Sequence, residues 1–220
     1  VKNRCSYSQD LSQWVPTKIA SINTNTILAP DGVSYMHGLI GNTQSGGHYV
    51  GKPLTIVSGS TYCYSFFAKK GDKNYVCVFF QAGVGNEGSI YFGLDNLTFS
   101  NPTGATYTNK GYIDYGNGII RIWVILTATG TDASIYLIPA PNNTTYSFVG
   151  DGSTVNTYFW GVQLEVGNYP SSYTNYVPNL CPYPQDLSQW TALVGSGSDT
   201  YDYSTILAPD GVSYMQGIIA

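Results

Sequence analysis

The 220-residue chain is 43% hydrophobic and only 10% charged, against about 25% charge in an average globular domain; Tyr, Asn, Thr, Ser and Gly supply its polarity. A net charge of −4 and a pI near 4.8 give no basic footprint for nucleic acid or an anionic membrane. No run approaches the roughly 18 apolar residues that cross a bilayer, and Val1-Lys2-Asn3-Arg4 leads into polar sequence instead of a signal-peptide core, so a soluble chain is expected.

Strand signals follow one another along the chain: 62–68, 75–80, 89–94, 119–127, 134–138 and 158–165, each short, rich in β-branched or aromatic residues and bounded by Gly, Asn, Asp or Pro. Asp31-Gly32, Asn117-Gly118 and Asp151-Gly152 mark turns at which a positive φ is easily adopted. No stretch of a dozen residues carries a capped helical period, and an all-β antiparallel sandwich is predicted. Cys63 and Cys77 fall in strand-like runs either side of Gly71-Asp72, where they are either a cross-hairpin disulfide or two buried thiols. Two histidines, His37 and His48, and no CxxC pair leave no zinc-ligand spacing.

The chain also repeats its own opening. Cys5 to Trp14 returns as Cys181 to Trp190 with eight of ten positions identical, and Thr26 to Ile40 returns as Thr205 to Ile219 with only His37/Gln216 and Leu39/Ile218 differing. A period of this size marks a duplicated domain, so residues 1–176 are read as one module and 177–220 as the first part of a second, incomplete copy. That reading favours a longer natural chain over a segment that docks on another domain or subunit.

Alternation assigns faces. Ile120, Ile122, Val124 and Leu126 form an aliphatic set that predicts core, leaving Arg121 and Trp123 opposite; Tyr62, Tyr64 and Phe66 oppose Cys63, Ser65 and Phe67. In the last strand the same period places Trp160, Val162 and Leu164 inward, opposite Phe159, Gln163 and Glu165. An aromatic-polar face of this kind suits a sugar, which offers an apolar face to a ring and hydroxyls to amides and charges; it equally suits a subunit contact. Trp123, Arg121, Phe67, Phe159 and Gln163 are therefore the candidate carbohydrate-binding residues, with Trp123 as the stacking platform and Arg121 either a sugar contact or an ion-pair partner of Glu165. Trp14, repeated as Trp190, reads as a structural plug.

Trp160-Gly161-Val162-Gln163-Leu164-Glu165-Val166-Gly167, followed by Ser171 and Tyr173, resembles the closing motif W-G-x-Q-L-E-x-G-x-x-x-(S/T)-x-Y of a jelly-roll family found in phage virion proteins. Tyr7 to Trp14, Ala29-Pro30-Asp31-Gly32, Tyr64 to Lys69 and Gly116-Asn117-Gly118 before Arg121 fall in the same order as in that family. The family is similar to carbohydrate-binding modules and concanavalin-like sandwiches. The resemblance implies a jelly roll at a virion surface, in a tail fibre, head fibre or decoration, present in many copies beside neighbouring subunits and touching glycans. It also implies Asp10, Asp31 and Glu165 as candidate ligands of a structural calcium, although no loop has the regular carboxylate spacing of a dedicated site. No other cofactor is implied.

No Gly-x-Ser-x-Gly elbow, P-loop or HExxH is present, and no catalytic activity is expected. Three readings remain open: a virion surface protein binding glycans non-covalently, a purely structural assembly protein of a virion or filament, and an accessory carbohydrate-binding module of a secreted bacterial protein.

Overall fold

The computed structural model describes residues 3–83 and 88–175 and the strands at 200–207 and 214–219. The chain divides into two compact units, Val1–Tyr176 and Val177–Ala220.

The first unit is an antiparallel jelly-roll β-sandwich. Its strands are β1 (Val15–Thr17), β2 (Ile19–Leu28), β3 (Tyr35–Gly41), β4 (Ser45–Gly47), β5 (Tyr49–Thr55), β6 (Thr61–Lys70), β7 (Tyr75–Ala82), β8 (Ile90–Gly93), β9 (Phe99–Ser100), β10 (Asn109–Asp114), β11 (Ile119–Thr127), β12 (Asp132–Ala140), β13 (Ser147–Val149) and β14 (Thr157–Val166). One six-stranded sheet, here the front sheet, runs β1-β5-β12-β7-β8-β9; the back sheet runs β10-β11-β6-β14-β3-β2; β4 and β13 form a small separate ladder. Among the described residues the only helical element is a 3₁₀ turn at Leu11–Gln13, and no helix is long and apolar enough to cross a membrane.

The core lies between the sheets. From the back sheet come Tyr62, Tyr64, Phe66, Ile120, Ile122, Val124 and Leu126, as alternation predicts; from the front sheet come Val76, Val78, Phe80, Ile135 and Leu137. Trp14 plugs one end of this core and donates from its indole nitrogen to Tyr7 O at 3.1 Å. The buried phenol of Tyr64 finds Tyr136 O at 2.9 Å, which satisfies its hydroxyl in an apolar layer.

Turn chemistry sets the connections. Gly116, Asn117 and Gly118, all at positive φ, join β10 to β11 between Tyr115, whose nitrogen donates to Ile119 O, and Ile119, whose nitrogen donates to Gly116 O, both at 2.9 Å. Asp31 and Asp151 head two D-G-x-S/T turns in which one carboxylate oxygen accepts from the backbone nitrogens two and three residues on, and the other from the hydroxyl three residues on.

One expectation changes. Strand β14 bulges between Trp160 and Gln163, with Gly161 at φ +60, so parity reverses within the strand. Phe159 joins Val162 and Leu164 in the central core, whereas Trp160, Gln163 and Glu165 share the outer face of the back sheet. Of the two readings open for Cys63 and Cys77, the buried thiols hold: they lie on strands of different sheets, with their side chains off the central core, and both are free, as is Cys5.

The second unit shows a hairpin, β15 (Thr200–Leu207) with β16 (Tyr214–Ile219). Cys181 to Trp190, the other half of the sequence duplication, lies outside the described residues.

Candidate functional site

The outer face of the back sheet carries the residues that sequence patterning nominates, but a strap of the chain's own backbone covers most of them. Arg121, only 1% exposed, donates from Nη1 to Ser171 O at 2.6 Å and from Nη2 to Ser65 Oγ at 2.9 Å, and its guanidinium sits 5.4 Å from the Phe67 ring centre. Glu165 accepts from Ser171 N and Ser171 Oγ at 2.9 and 2.6 Å. Gln163 donates to Ser171 Oγ and accepts from Thr174 N, at 3.0 and 2.9 Å. Tyr173 then lays its ring 4.5 Å from that of Trp160 and brings its hydroxyl within 2.8 Å of Ser8 Oγ; burial pushes this phenol up to about 12.

These contacts give the closing motif its physical sense. Trp160 and Tyr173 pack on each other, Gln163 and Glu165 hold Ser171, and Gly161 supplies the bulge that turns all three strand side chains outward. An alanine Cβ at Gly161 would lie 2.9 Å from the Phe67 ring, besides straining a positive φ.

The nominated sugar-binding set is corrected accordingly. Phe67, Arg121 and Gln163 are buried under the strap, and Phe159 is buried in the sandwich core, so none offers surface to a ligand. No ion pair joins Arg121 to Glu165; both grip Ser171 from opposite sides. Trp123 stands apart from them, half-buried, with its indole laid across Gly111 of β10, where a Cβ would come within 2.4 Å of the ring. The three proposed calcium ligands also serve separately. Asp10 caps the 3₁₀ turn through Ser12, whose hydroxyl lowers its pKa; Asp31 holds Val33 and Ser34; Glu165 holds Ser171. Among the described residues no group of three or more His, Cys, Asp or Glu is placed to hold a metal.

A second aromatic-polar surface, missed by patterning, occupies the outer face of the front sheet. Strand register lines up Gly51, Tyr136 and Phe79 across β5, β12 and β7, with Pro53, Ser134 and Gln81 in the next row. Phe79 and Tyr136 stack with ring centres 5.2 Å apart and planes inclined by 28°, and Tyr49 meets Tyr136 edge-on at 5.5 Å. Tyr136 lies flat because Gly51 has no side chain: a Cβ there would be 2.9 Å from two ring carbons. The half of this face nearer β8 is roofed. The 141–146 loop, tied down by Ser100 Oγ donating to Asn143 O at 2.9 Å, brings Tyr146 near Tyr49 and Cys77, whose thiol burial pushes up to about 12.

Among the described residues the other half stays open. Beside the ring stack lies a cavity of about 430 Å³ lined by Gln81, Thr131, Asp132 and Ser134, among others. A second cavity of about 380 Å³ adjoins it across β12, sharing Asp132 and Ser134 and bounded by Pro53 and Thr55. Both volumes fall in the range of small-molecule sites. Half-buried rings one strand row from a cleft with hydroxyl, amide and carboxylate groups can stack a flat apolar ligand face and hydrogen-bond its rim.

No family profile matches the chain, and neither does any curated protein sequence. Among solved structures, the enzymatically active domain of bacteriophage CBA120 tailspike protein 4 is similar at 12% identity and a TM-score of 0.44, over 74% of this chain and 21% of that one. TmCBM61 in complex with β-1,4-galactotriose is similar at 14% identity and a TM-score of 0.35, over 76% of this chain and 100% of that one. A family 16 carbohydrate-binding module matches at 13% identity and a TM-score of 0.34, over 66% of this chain and 84% of that one.

Proposed function

We propose that the chain binds glycans non-covalently through the outer face of its front sheet. The observation that carries this reading is the half-buried Phe79–Tyr136 stack one strand row from the cleft lined by Gln81, Asp132 and Ser134. A pyranose would lay its apolar face on the rings and direct hydroxyls to the amide, hydroxyl and carboxylate groups of the next strand row. A half-exposed site of this kind binds weakly, and affinity would come from many copies. The resemblance of the closing motif and its companions to phage virion jelly rolls supports placing those copies at a virion surface, in contact with neighbouring subunits.

A glycan array probed with a multivalent form of the protein tests the proposal, with thermal melting as the folding control. Tyr136→Ala and Phe79→Ala are expected to lose selective binding while melting as cooperative folds, and Trp123→Ala to retain it. A well-folded, multivalent parent that captures no glycan would overturn the proposal and leave the assembly reading. Loss in Trp123→Ala alone would move the site to the back sheet.

A further inference from the structure

The hairpin of the second unit repeats the hairpin of the first in ladder as well as in sequence. In the first unit β2 pairs with β3 as Ser21↔Ile40, Ile22↔Leu39 and Asn23↔Gly38, shifts register, and resumes as Ile27↔Met36 and Leu28↔Tyr35. In the second, β15 pairs with β16 as Thr200↔Ile219, Tyr201↔Ile218 and Asp202↔Gly217, shifts, and resumes as Ile206↔Met215 and Leu207↔Tyr214. All five pairs of the second hairpin, and the irregularity between them, are displaced by the same 179 residues from pairs of the first.

In the first unit this hairpin ends the back sheet, seated on β14 through His37↔Phe159, Gly38↔Tyr158 and Leu39↔Thr157. The seat is specific. Met36 and Leu39 are fully buried, Ser34 Oγ accepts from Trp160 Nε1 at 2.8 Å, and Gly38 leaves room for Val155 and Tyr158, which a Cβ would meet at 2.7 and 2.9 Å. His37 accepts from Leu11 N through Nδ1 at 3.2 Å. The second hairpin carries Ser213, Met215, Gly217 and Ile218 at the matching positions, and Gln216, whose amide oxygen is also an acceptor, in place of His37.

We infer that the 200–219 hairpin of one copy of this chain seats on β14 of a second copy in place of that copy's β2–β3, so that copies associate by hairpin exchange. All contacts needed already exist in the first unit, and exchange of near-identical elements is a low-cost route to association and a known hazard of repeats. One departure sets its strength. Ala220 stands where Gly41 stands, and a Cβ at Gly41 would come within 2.9 Å of Asn156 Oδ1 and of the His48 ring. The exchanged seat is therefore weaker than the native one, and association depends on concentration. This inference is independent of glycan binding.

The full chain tests it, as wild type, Leu39→Asp, Ile218→Asp and the double variant, each refolded at two concentrations a hundredfold apart and followed by light scattering and thermal melting. Wild type is expected to show several-fold more dimer and higher species at the higher concentration, and Ile218→Asp to stay monomeric with an unchanged melt of the first unit. Leu39→Asp is expected to keep a cooperative melt while shifting further towards association, and the double variant to lose that melt. The inference is overturned if Leu39→Asp melts no better than the double variant, if it stays folded but monomeric, or if Ile218→Asp associates as the wild type does.

Discussion

Arg121 and Glu165 never touch, yet they hold the same residue: Arg121 takes the carbonyl of Ser171, and Glu165 its amide and hydroxyl. Two opposite charges thus clamp one short strap across the back sheet and shut off a surface rich in rings.

Removing the arginine takes the donors from Ser171 O and Ser65 Oγ inside a buried network. Arg121→Ala is expected to cost about 2–4 kcal/mol, the scale of charged hydrogen bonds lost from a buried network. For a module of this size that lowers the Tm by about 5–15 °C. Calorimetry of the full chain checks it, and a change under 2 °C would show that the strap contributes little to closure.

Gly51 tests whether the front-sheet rings must lie flat. Gly51→Ala places a Cβ 2.9 Å from the Tyr136 ring, forcing it off Phe79, and is expected to weaken glycan capture at least as much as it lowers stability. Glycan-array intensity and melting temperature, measured on the same preparation, separate the two effects.

His37 gives the fold a mild acid sensitivity. Burial lowers its pKa from 6.5, against a smaller opposing pull from Asp10, and its Nδ1 must stay unprotonated to accept from Leu11 N. The unfolded chain therefore takes up a proton first. His37's contribution is complete above pH 6.5 and is lost as pH falls from 6.5 through the lower folded value. Urea midpoints at pH 7.5 and 5.5 should differ for the wild type, and His37→Gln, the residue found at 216, should shrink the difference. An equal difference in both proteins would remove His37 as the cause.

Burial raises the thiols of Cys5, Cys63 and Cys77 to about 12, so they are neither exposed nor ionised near neutrality. Peptide mapping after iodoacetamide treatment at pH 8 is expected to show these three unmodified in the native protein and modified in urea. Rapid native labelling of Cys63 would mean that the strap-covered face opens.

Much of the sandwich is written in simple alternation. Ile120 to Leu126 and Tyr62 to Phe66 point inward as a period of two requires, and the turns at Asp31, Asn117 and Asp151 form where the side chains predict. Alternation fails in β14 because Gly161 adds one residue to the strand, which sends Phe159 into the core and Trp160 out of it. It also cannot say which outer face is left open. In β7, Tyr75, Phe79 and Gln81 alternate with Val76, Val78 and Phe80, but both sets are largely apolar. Which face meets solvent is decided by segments far away in sequence, the 171–175 strap behind and the 141–146 loop in front. Trp123 stands out in sequence because it is a tryptophan among aliphatics; Tyr136 does not, because its partners, Gly51 and Phe79, come from two other strands.

The flat seat of Tyr136 on Gly51 has a thermodynamic corollary. A ring already pinned between backbone and neighbour has little rotational freedom left to lose, so capture of a ligand there should carry a small ordering penalty. Calorimetric titration of wild type would then show a less unfavourable entropy than a variant in which Phe79→Leu frees the ring, even where the two affinities are close.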